Sequence, residues 1–215
     1  MPIEAKICGL KTAEAIETAI DYGAAMIGLN FFAKSPRAVT PDIAGALSRP
    51  VAGRVTRVGL IVDATDDEIA AILKGCPLDM LQLHGKETPA RTAEIRAKFA
   101  LPVMKVLSIA TAADIAGAST YEDVADRLLF DAKPPKTMVN ALPGGNAISF
   151  DWSLLAGQSF RKPWMLAGGL TAQNLAAAVR TSGARAVDTA SGVEDQPGVK
   201  NLQKIKDFLA VANSL

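Results

Sequence analysis

The stretch RKPWMLAGGLTAQNLAAAVRTSGARAVDTASG, residues 161–192, decides the fold of this 215-residue chain. An apolar run at 164–167 stops at a glycine pair, a helical pattern follows, and a second apolar run at 184–187 ends in Asp188. Each run is typical of a strand that opens into a loop of small residues. Glycines, which lack a Cβ, let main-chain N–H groups surround an anion, so the two loops predict a phosphate site. The loop residues expected to hold the phosphate are Gly168, Gly169, Ser191 and Gly192.

The same strand-then-helix unit recurs about eight times along the chain. Short apolar strands are predicted at residues 5–8, 26–31, 57–62, 80–83, 102–106, 127–130, 164–167 and 184–187. Helices are predicted at residues 12–22, 41–47, 66–74, 89–99, 112–121, 150–155, 172–181 and 198–212. Continuous apolar strands are typical of a parallel sheet covered on both faces. Right-handed crossovers of this number close most simply into a (β/α)8 TIM barrel.

An open, doubly wound α/β sheet is the alternative fold. No G-x-G-x-x-G sequence follows the first strand, so a dinucleotide-binding sheet has no positive support. No linker or shift of composition divides the chain, and we expect residues 1–215 to form a single domain.

The composition argues against several classes of protein. The net charge is +1, whereas a nucleic-acid surface normally needs a clear basic excess.

Two cysteines, Cys8 and Cys76, suggest no disulfide framework, so we expect a cytoplasmic protein. The polar start MPIEAKICGLK is unlike a signal peptide, and no apolar run approaches the roughly 20 residues that span a bilayer. The lone histidine, His84, excludes a multi-histidine metal site, and we expect no metal.

In a (β/α)8 barrel the carboxyl ends of all strands face one mouth, where the chemistry takes place. The side chains that the predicted strand ends deliver to this mouth are Cys8, Arg37, His84, Asp131 and Asp188.

Cys8 and Asp131 each have two interpretations. A cysteine is most often a small buried hydrophobe, but at a strand end beside Lys6 a cation favours the reactive thiolate. An aspartate that ends an apolar strand either caps the next turn or lies in the mouth. Partial burial there would raise the pKa of Asp131 and suit it to donate a proton.

Each of the other three candidates also has two interpretations. Arg37 is either a surface residue or a fork that binds a carboxylate or phosphate. His84 is either a packing residue behind the site or a substrate contact. Asp188 either caps a turn or binds sugar hydroxyls.

Together these segments resemble the phosphoribosylanthranilate isomerase family of tryptophan biosynthesis. The matching motifs, in the family's order and across nearly the whole chain, are KICG (6–9), KSPR (34–37), LQLHG (81–85), FDAKPP (130–135), GGNAISFDW (144–152), LAGGL (166–170) and SGVEDQPGVKN (191–201). No single motif is specific, but KICG with LQLHG, LAGGL and SGVE at these positions is highly specific.

The resemblance implies a (β/α)8 barrel enzyme that performs an Amadori rearrangement. N-(5-phosphoribosyl)anthranilate becomes 1-(2-carboxyphenylamino)-1-deoxyribulose 5-phosphate, with Cys8 as general base and Asp131 as general acid. The resemblance places Arg37 and Asp188 at the substrate. It implies a small phosphoribosyl substrate and no cofactor, because the imine forms within the substrate itself. It leaves open whether the protein is a monomer or a homodimer.

Three positions depart from the family pattern. Ala147 replaces a common glycine, Asn30 lies in a run that is usually apolar, and Thr189-Ala190 replaces a frequent Val-Ser pair. The last change removes one hydroxyl from the expected phosphate loop and leaves its main-chain donors in place.

Two other functions remain as alternatives. The first is a different phosphate-binding barrel enzyme, namely a metal-dependent epimerase or an indole-forming synthase. A single histidine disfavours the epimerase, and Lys105 is the obvious candidate for a catalytic lysine of the synthase. The second is a silent phosphosugar-binding protein, which the presence of Cys8 and Asp131 disfavours.

Overall fold

Eight parallel strands form a closed barrel in the computed structural model, which describes residues 3–135, 137–138 and 142–215. Each strand pairs with the next along the chain, and β8 pairs with β1 to close the ring. The (β/α)8 fold predicted from the sequence is confirmed. The strands are β1 (Glu4–Cys8), β2 (Met26–Asn30), β3 (Thr56–Ile61), β4 (Met80–Leu83), β5 (Val103–Ile109), β6 (Arg127–Ala132), β7 (Trp164–Leu166) and β8 (Ala186–Thr189).

Helices cover the outside of the barrel. They are α1 (Ala13–Asp21), α2 (Pro41–Ser48), α3 (Asp66–Gly75), α4 (Pro89–Phe99), α5 (Ala112–Ala116), α6 (Leu175–Ser182) and α7 (Leu202–Ser214). Four of them begin after a threonine whose side chain accepts a main-chain N–H of the first turn, which stabilises the helix start. These threonines are Thr12, Thr40, Thr65 and Thr88. No helix in the described part of the chain is long and apolar enough to cross a membrane.

Alternation along the strands decides which side chains point into the barrel. One buried apolar cluster joins Met26, Val58, Met104, Leu129, Met165 and Ala186 from six different strands. Side chains from strands all around the ring can meet only in its interior, and every second residue of a strand faces the same way. Asp131 and Asp188 are therefore inward-facing, two residues beyond Leu129 and Ala186.

The start predicted for the last helix, residue 198, is wrong. The structure has an antiparallel hairpin of β9 (Glu194–Gln196) and β10 (Val199–Lys200), and α7 begins only at Leu202. Gly198 in the hairpin turn has a φ of +82°, which a helix does not admit. Asn201 then caps α7, because its side chain accepts the N–H of Lys204.

Other predicted boundaries also change. The helix expected at 150–155 is a 3₁₀ turn at Trp152–Leu155, and the one expected at 112–121 is α5 followed by a 3₁₀ turn at Gly117–Tyr121. Helix α6 begins three residues later than its predicted start at 172. Strand β6 ends two residues later than predicted, and β8 is shifted by two residues toward the carboxyl end, so Asp131 and Asp188 lie within strands. Part of the polar loop predicted after β6, residues 136 and 139–141, lies outside the described residues, as do residues 1 and 2 of the polar N-terminus.

Candidate active site

One pocket opens at the carboxyl ends of the strands and measures about 720 Å³ including its open mouth. Eight of the nine candidate site residues line it, and they are Cys8, Arg37, His84, Asp131, Gly168, Gly169, Asp188 and Ser191. The ninth, Gly192, lines an adjoining cleft together with Gly169, Ser191 and Lys204.

Cys8 is the last residue of β1 and is only 4% exposed. Burial raises the pKa of its thiol, and Lys6 and Lys200 oppose that rise. Gly28 of β2 leaves room for the sulfur, since a Cβ there would lie 2.6 Å from Cys8 Sγ. The thiol thus occupies a tight place between two strands, with two cations near it.

Lys6 and Asp188 form a buried ion pair beneath this thiol. Lys6 Nζ lies 2.9 Å from Asp188 Oδ1, and Lys6 is wholly buried. Burial lowers the pKa of Lys6, but Asp188 and Cys8 outweigh it and the net pKa is raised. One oxygen of Asp188 is therefore engaged by the protein itself, although the residue lines the pocket.

Asp131 and His84 meet on the opposite wall. Asp131 is 6% exposed, and its Oδ1 accepts the N–H of Ala132 at 2.8 Å. His84 Nε2 lies 3.3 Å from Asp131 Oδ2 but forms no hydrogen bond with it, and Nε2 is buried without a partner among the described residues. On its other side, the His84 ring contacts the buried amide of Gln82.

Arg37 is held by a carboxylate that the sequence did not single out. Its Nε and Nη2 each lie 2.8 Å from an oxygen of Glu194, so the two side chains form a bidentate salt bridge. Lys200 Nζ contacts the same carboxylate at 2.8 Å. Burial raises the pKa of Glu194, but hydrogen bonds from Arg37 and the charge of Lys200 lower it, and the net pKa is lowered. The described contacts of Arg37 leave Nη1 free for a ligand.

Asn30 organises the loop that carries Arg37. Its Oδ1 accepts the N–H of Phe32 at 2.8 Å, and its Nδ2 donates to Ser35 Oγ at 3.2 Å. Ser35 Oγ in turn accepts the N–H of Arg37. The polar residue at this position thus replaces apolar packing with a hydrogen-bonded turn.

The expected phosphate loops lie side by side, and their close approach requires glycine. Gly168 and Gly169 have φ angles of +89° and +62°. A Cβ at Gly192 would lie 1.8 Å from the carbonyl oxygen of Leu170, and the Thr189 hydroxyl donates to that same oxygen at 2.8 Å. Thr189 therefore joins the two loops.

The loop after β6 covers the mouth. A Cβ at Gly144 would lie 2.4 Å from His84 Cε1 and 2.5 Å from Asp131 Oδ2. The carbonyl oxygen of Gly145 accepts a hydrogen bond from Arg37 Nη2 at 3.2 Å. The loop therefore contacts both walls of the pocket.

Lys105, the lysine considered for a synthase, is not among the pocket-lining residues. It alternates with the interior residues Met104 and Val106, so it points out of the barrel. Its Nζ pairs with Glu87 at 2.7 Å and contacts the carbonyl oxygen of Gly85 at 2.8 Å. Both charged side chains are buried, and the pair fixes the loop after β4.

Fold and site together define a protein of the (β/α)8 barrel class with a pocket at the carboxyl ends of its strands. A family model described as N-(5'phosphoribosyl)anthranilate (PRA) isomerase matches residues 5–211, and the chain belongs to this family. A relative from Paramagnetospirillum magneticum, named N-(5'-phosphoribosyl)anthranilate isomerase, is 56% identical over 212 residues, which cover 99% of this chain and 98% of the relative.

Solved structures agree in fold. A phosphoribosyl anthranilate isomerase in complex with reduced 1-(o-carboxyphenylamino)-1-deoxyribulose 5-phosphate is 29% identical, with a TM-score of 0.84 and coverage of 99% of this chain and 100% of that one. Monomers generated from the dimeric enzyme of Thermotoga maritima are 30% identical, with a TM-score of 0.84 and the same coverage.

Proposed function

We propose that this protein converts N-(5-phosphoribosyl)anthranilate to 1-(2-carboxyphenylamino)-1-deoxyribulose 5-phosphate in tryptophan biosynthesis. The observation that carries the proposal is that Cys8 and Asp131 face one pocket, which two glycine-containing loops also line. The pocket offers one group to accept a proton, one to donate a proton and main-chain donors for a phosphate. Family membership supports the same substrate.

Asp131 acts first, as general acid. Its carboxyl group gives a proton to the ribose ring oxygen while the bond from C1′ to that oxygen breaks. The lone pair of the anthranilate nitrogen forms the C1′=N bond, so the furanose opens to a protonated Schiff base. The carboxylate left behind keeps the Ala132 N–H on Oδ1.

Cys8 acts second, as general base. Its thiolate takes the proton from C2′, and the released electron pair forms the C1′=C2′ bond and neutralises the Schiff base. The resulting enolamine tautomerises to the ketone. The enzyme is left with Asp131 ionised and Cys8 protonated, so one proton returns from sulfur to carboxylate, through solvent, before the next turnover.

Nearby basic side chains favour a thiolate at Cys8, whereas burial opposes it. Three of them surround this wall of the pocket, Lys6, Arg37 and Lys200, against the two carboxylates of Asp188 and Glu194. Burial lowers the pKa of Lys200, which reduces its share of the positive charge. The remaining positive charge attracts an anion. The thiolate is one such anion, and the substrate's carboxylate is another.

Two anchors hold the substrate at its ends. The phosphate binds the main-chain N–H groups of Gly168, Gly169, Ser191 and Gly192. Arg37 holds the anthranilate carboxylate through Nη1, because Glu194 occupies its other two nitrogens. Asp188 uses its second oxygen for a sugar hydroxyl, and His84 lies beside the ring oxygen next to Asp131.

The remaining assignments follow from this function. The chain works as one barrel domain in the cytoplasm, on a small phosphoribosyl substrate, as a monomer or homodimer. One family member supports the last point, since it is dimeric and monomers have been generated from it.

Loss of substrate fluorescence tests the proposal. Freshly made phosphoribosylanthranilate is mixed with the purified protein, and we expect its fluorescence to decay in proportion to enzyme. The product must be carboxyphenylamino-deoxyribulose phosphate. If the protein instead bound a reduced product analogue by calorimetry but left fluorescence unchanged, it would be a silent phosphosugar-binding protein.

A further inference from the structure

Gln82 is a buried polar residue that the reaction as described does not use. It lies within β4, faces the pocket and has no exposed surface. Its Nε2 lies 3.3 Å from His84 Nδ1, and its Oε1 is buried without a partner among the described residues. A buried amide costs free energy unless its polar groups form hydrogen bonds. The contact with His84 offsets part of that cost, and we therefore ask what else it does.

The orientation of the Gln82 amide, with Nε2 toward the ring, sets which nitrogen of His84 carries the proton. An amide Nε2 is a donor, so Nδ1 of the ring must accept. A neutral imidazole then has its only proton on Nε2, since the partner of one ring nitrogen fixes the state of the other. Nε2 is the atom that lies 3.3 Å from Asp131 Oδ2.

We propose that Gln82 is a positioning residue that holds His84 as the Nε2–H tautomer, so that the ring donates to the carboxylate formed at Asp131. This inference rests on the proposed role of Asp131 as general acid. Asp131 Oδ1 already accepts the Ala132 N–H. The second oxygen gains a donor only if Nε2 is protonated, and both oxygens of the new carboxylate are then stabilised.

His84 and Asp131 lie close to each other in the structure but do not form this hydrogen bond. The distance from Nε2 to Oδ2 is short enough for a hydrogen bond, but the two groups are not aligned to form one. Catalytic hydrogen bonds of an empty site often align only when the substrate binds. The loop at Gly144 lies directly on this pair of side chains, so a small shift of the loop moves both groups.

The chain offers a clean test, because His84 is its only histidine. Long-range ¹H–¹⁵N NMR of the ¹⁵N-labelled wild-type protein at neutral pH then contains one imidazole spin system. We expect a protonated Nε2 and an unprotonated Nδ1. A protonated Nδ1, alone or together with Nε2, overturns the proposal without any variant being made.

A near-isosteric variant tests the consequence. In Gln82→Glu the carboxylate accepts where the amide donated, so we expect the proton of His84 to move to Nδ1. The loss of one hydrogen bond to a charged group predicts a fall in kcat of about 10-fold to 100-fold, with KM changed by less than about twofold. An unchanged tautomer, or a wild-type kcat with the tautomer reversed, contradicts the proposal.

Two further variants separate the possible causes. Gln158→Glu adds the same charge on an exposed loop, and we expect wild-type kcat and tautomer from it. Gln82→Met removes the donor without adding charge and should lower kcat while the Nε2–H preference weakens. If the wild-type protein failed to turn over phosphoribosylanthranilate, the proposed function and the catalytic purpose of Gln82 would fail together, whereas the NMR measurement would still decide whether Gln82 fixes the tautomer of His84.

Discussion

The strand register places Lys6 directly beside Asp188, and their charged atoms lie 2.9 Å apart inside the barrel. The pair closes the ring between the first and the last strand, two residues below Cys8. It therefore contributes to stability and to the electrostatics of the thiol through the same two side chains.

Lys6→Met tests both contributions. The substitution leaves the buried carboxylate of Asp188 without its cation, which typically costs about 3–5 kcal/mol. It also removes the cation that lowers the pKa of Cys8, so that pKa should rise further. Urea unfolding measures the first effect, and thiolate absorbance against pH measures the second.

Asp188→Asn is the matched variant, and we expect it to shift the pKa of Cys8 in the opposite direction. Asp188 raises the pKa of Cys8, so its neutralisation should lower that pKa as long as Lys6 remains protonated. The same substitution also removes the main interaction that raises the pKa of the buried Lys6. If Lys6→Met left the thiol pKa unchanged, the ion pair would not control Cys8.

The pH dependence of the Cys8 thiolate follows from the burial of the thiol. Burial raises the pKa of that thiol above the ordinary value of cysteine. The thiolate fraction, measured by thiolate absorbance against pH, should therefore still rise past the usual pKa of cysteine. The pH profile of kcat/KM is a less direct measure, because the proposed reaction also needs Asp131 in its protonated form. A thiolate signal that already reaches its plateau at neutral pH would contradict the raised pKa.

The barrel was predictable because its signals are local and repeated. Apolar strands that end in glycine or a charged residue give both the strand count and the carboxyl ends where Cys8 and Asp131 lie. The hairpin at 194–200 was not predictable in this way. Leu202, Ile205 and Leu209 carry the helical pattern, and extending it back to residue 198 ignored the Pro197-Gly198 turn.

Much of the site depends on contacts that are distant in sequence. Glu194 pairs with Arg37 across 157 positions, and no local pattern contains that relation. Gln82 stands two residues before His84, and the inward alternation of β4 was the signal that could have found it. In the sequence Asn30 is only a departure from an apolar run, because its hydrogen bonds to the loop that carries Arg37 form only in the folded chain.

Glu194→Gln tests how Arg37 is held. The amide keeps one hydrogen bond but loses the charge that pairs with both Arg37 and Lys200. We propose that Arg37 binds the unreacting carboxylate of the substrate, so we expect KM to rise about tenfold with a smaller change in kcat. Asp195→Asn, an exposed neighbour that pairs with Lys204, is the control and should leave KM unchanged.

Ala147→Gly tests the strain of the loop after β6. Ala147 has a φ of +56°, in the left-handed region that costs a residue with a Cβ about 1–2 kcal/mol. Glycine removes that cost but loses more entropy on folding, so we expect a gain in stability of up to about 1 kcal/mol. Ala97→Gly, within α4, should instead lower the melting temperature.

The central claim is that Cys8 and Asp131 are the base and the acid of one reaction. The most direct measurement is the steady-state turnover of phosphoribosylanthranilate by Cys8→Ala and Asp131→Asn, beside circular dichroism of each variant. We predict that each substitution lowers kcat by about 10²-fold to 10⁴-fold while the fold persists. Near-wild-type turnover in either folded variant would contradict the account.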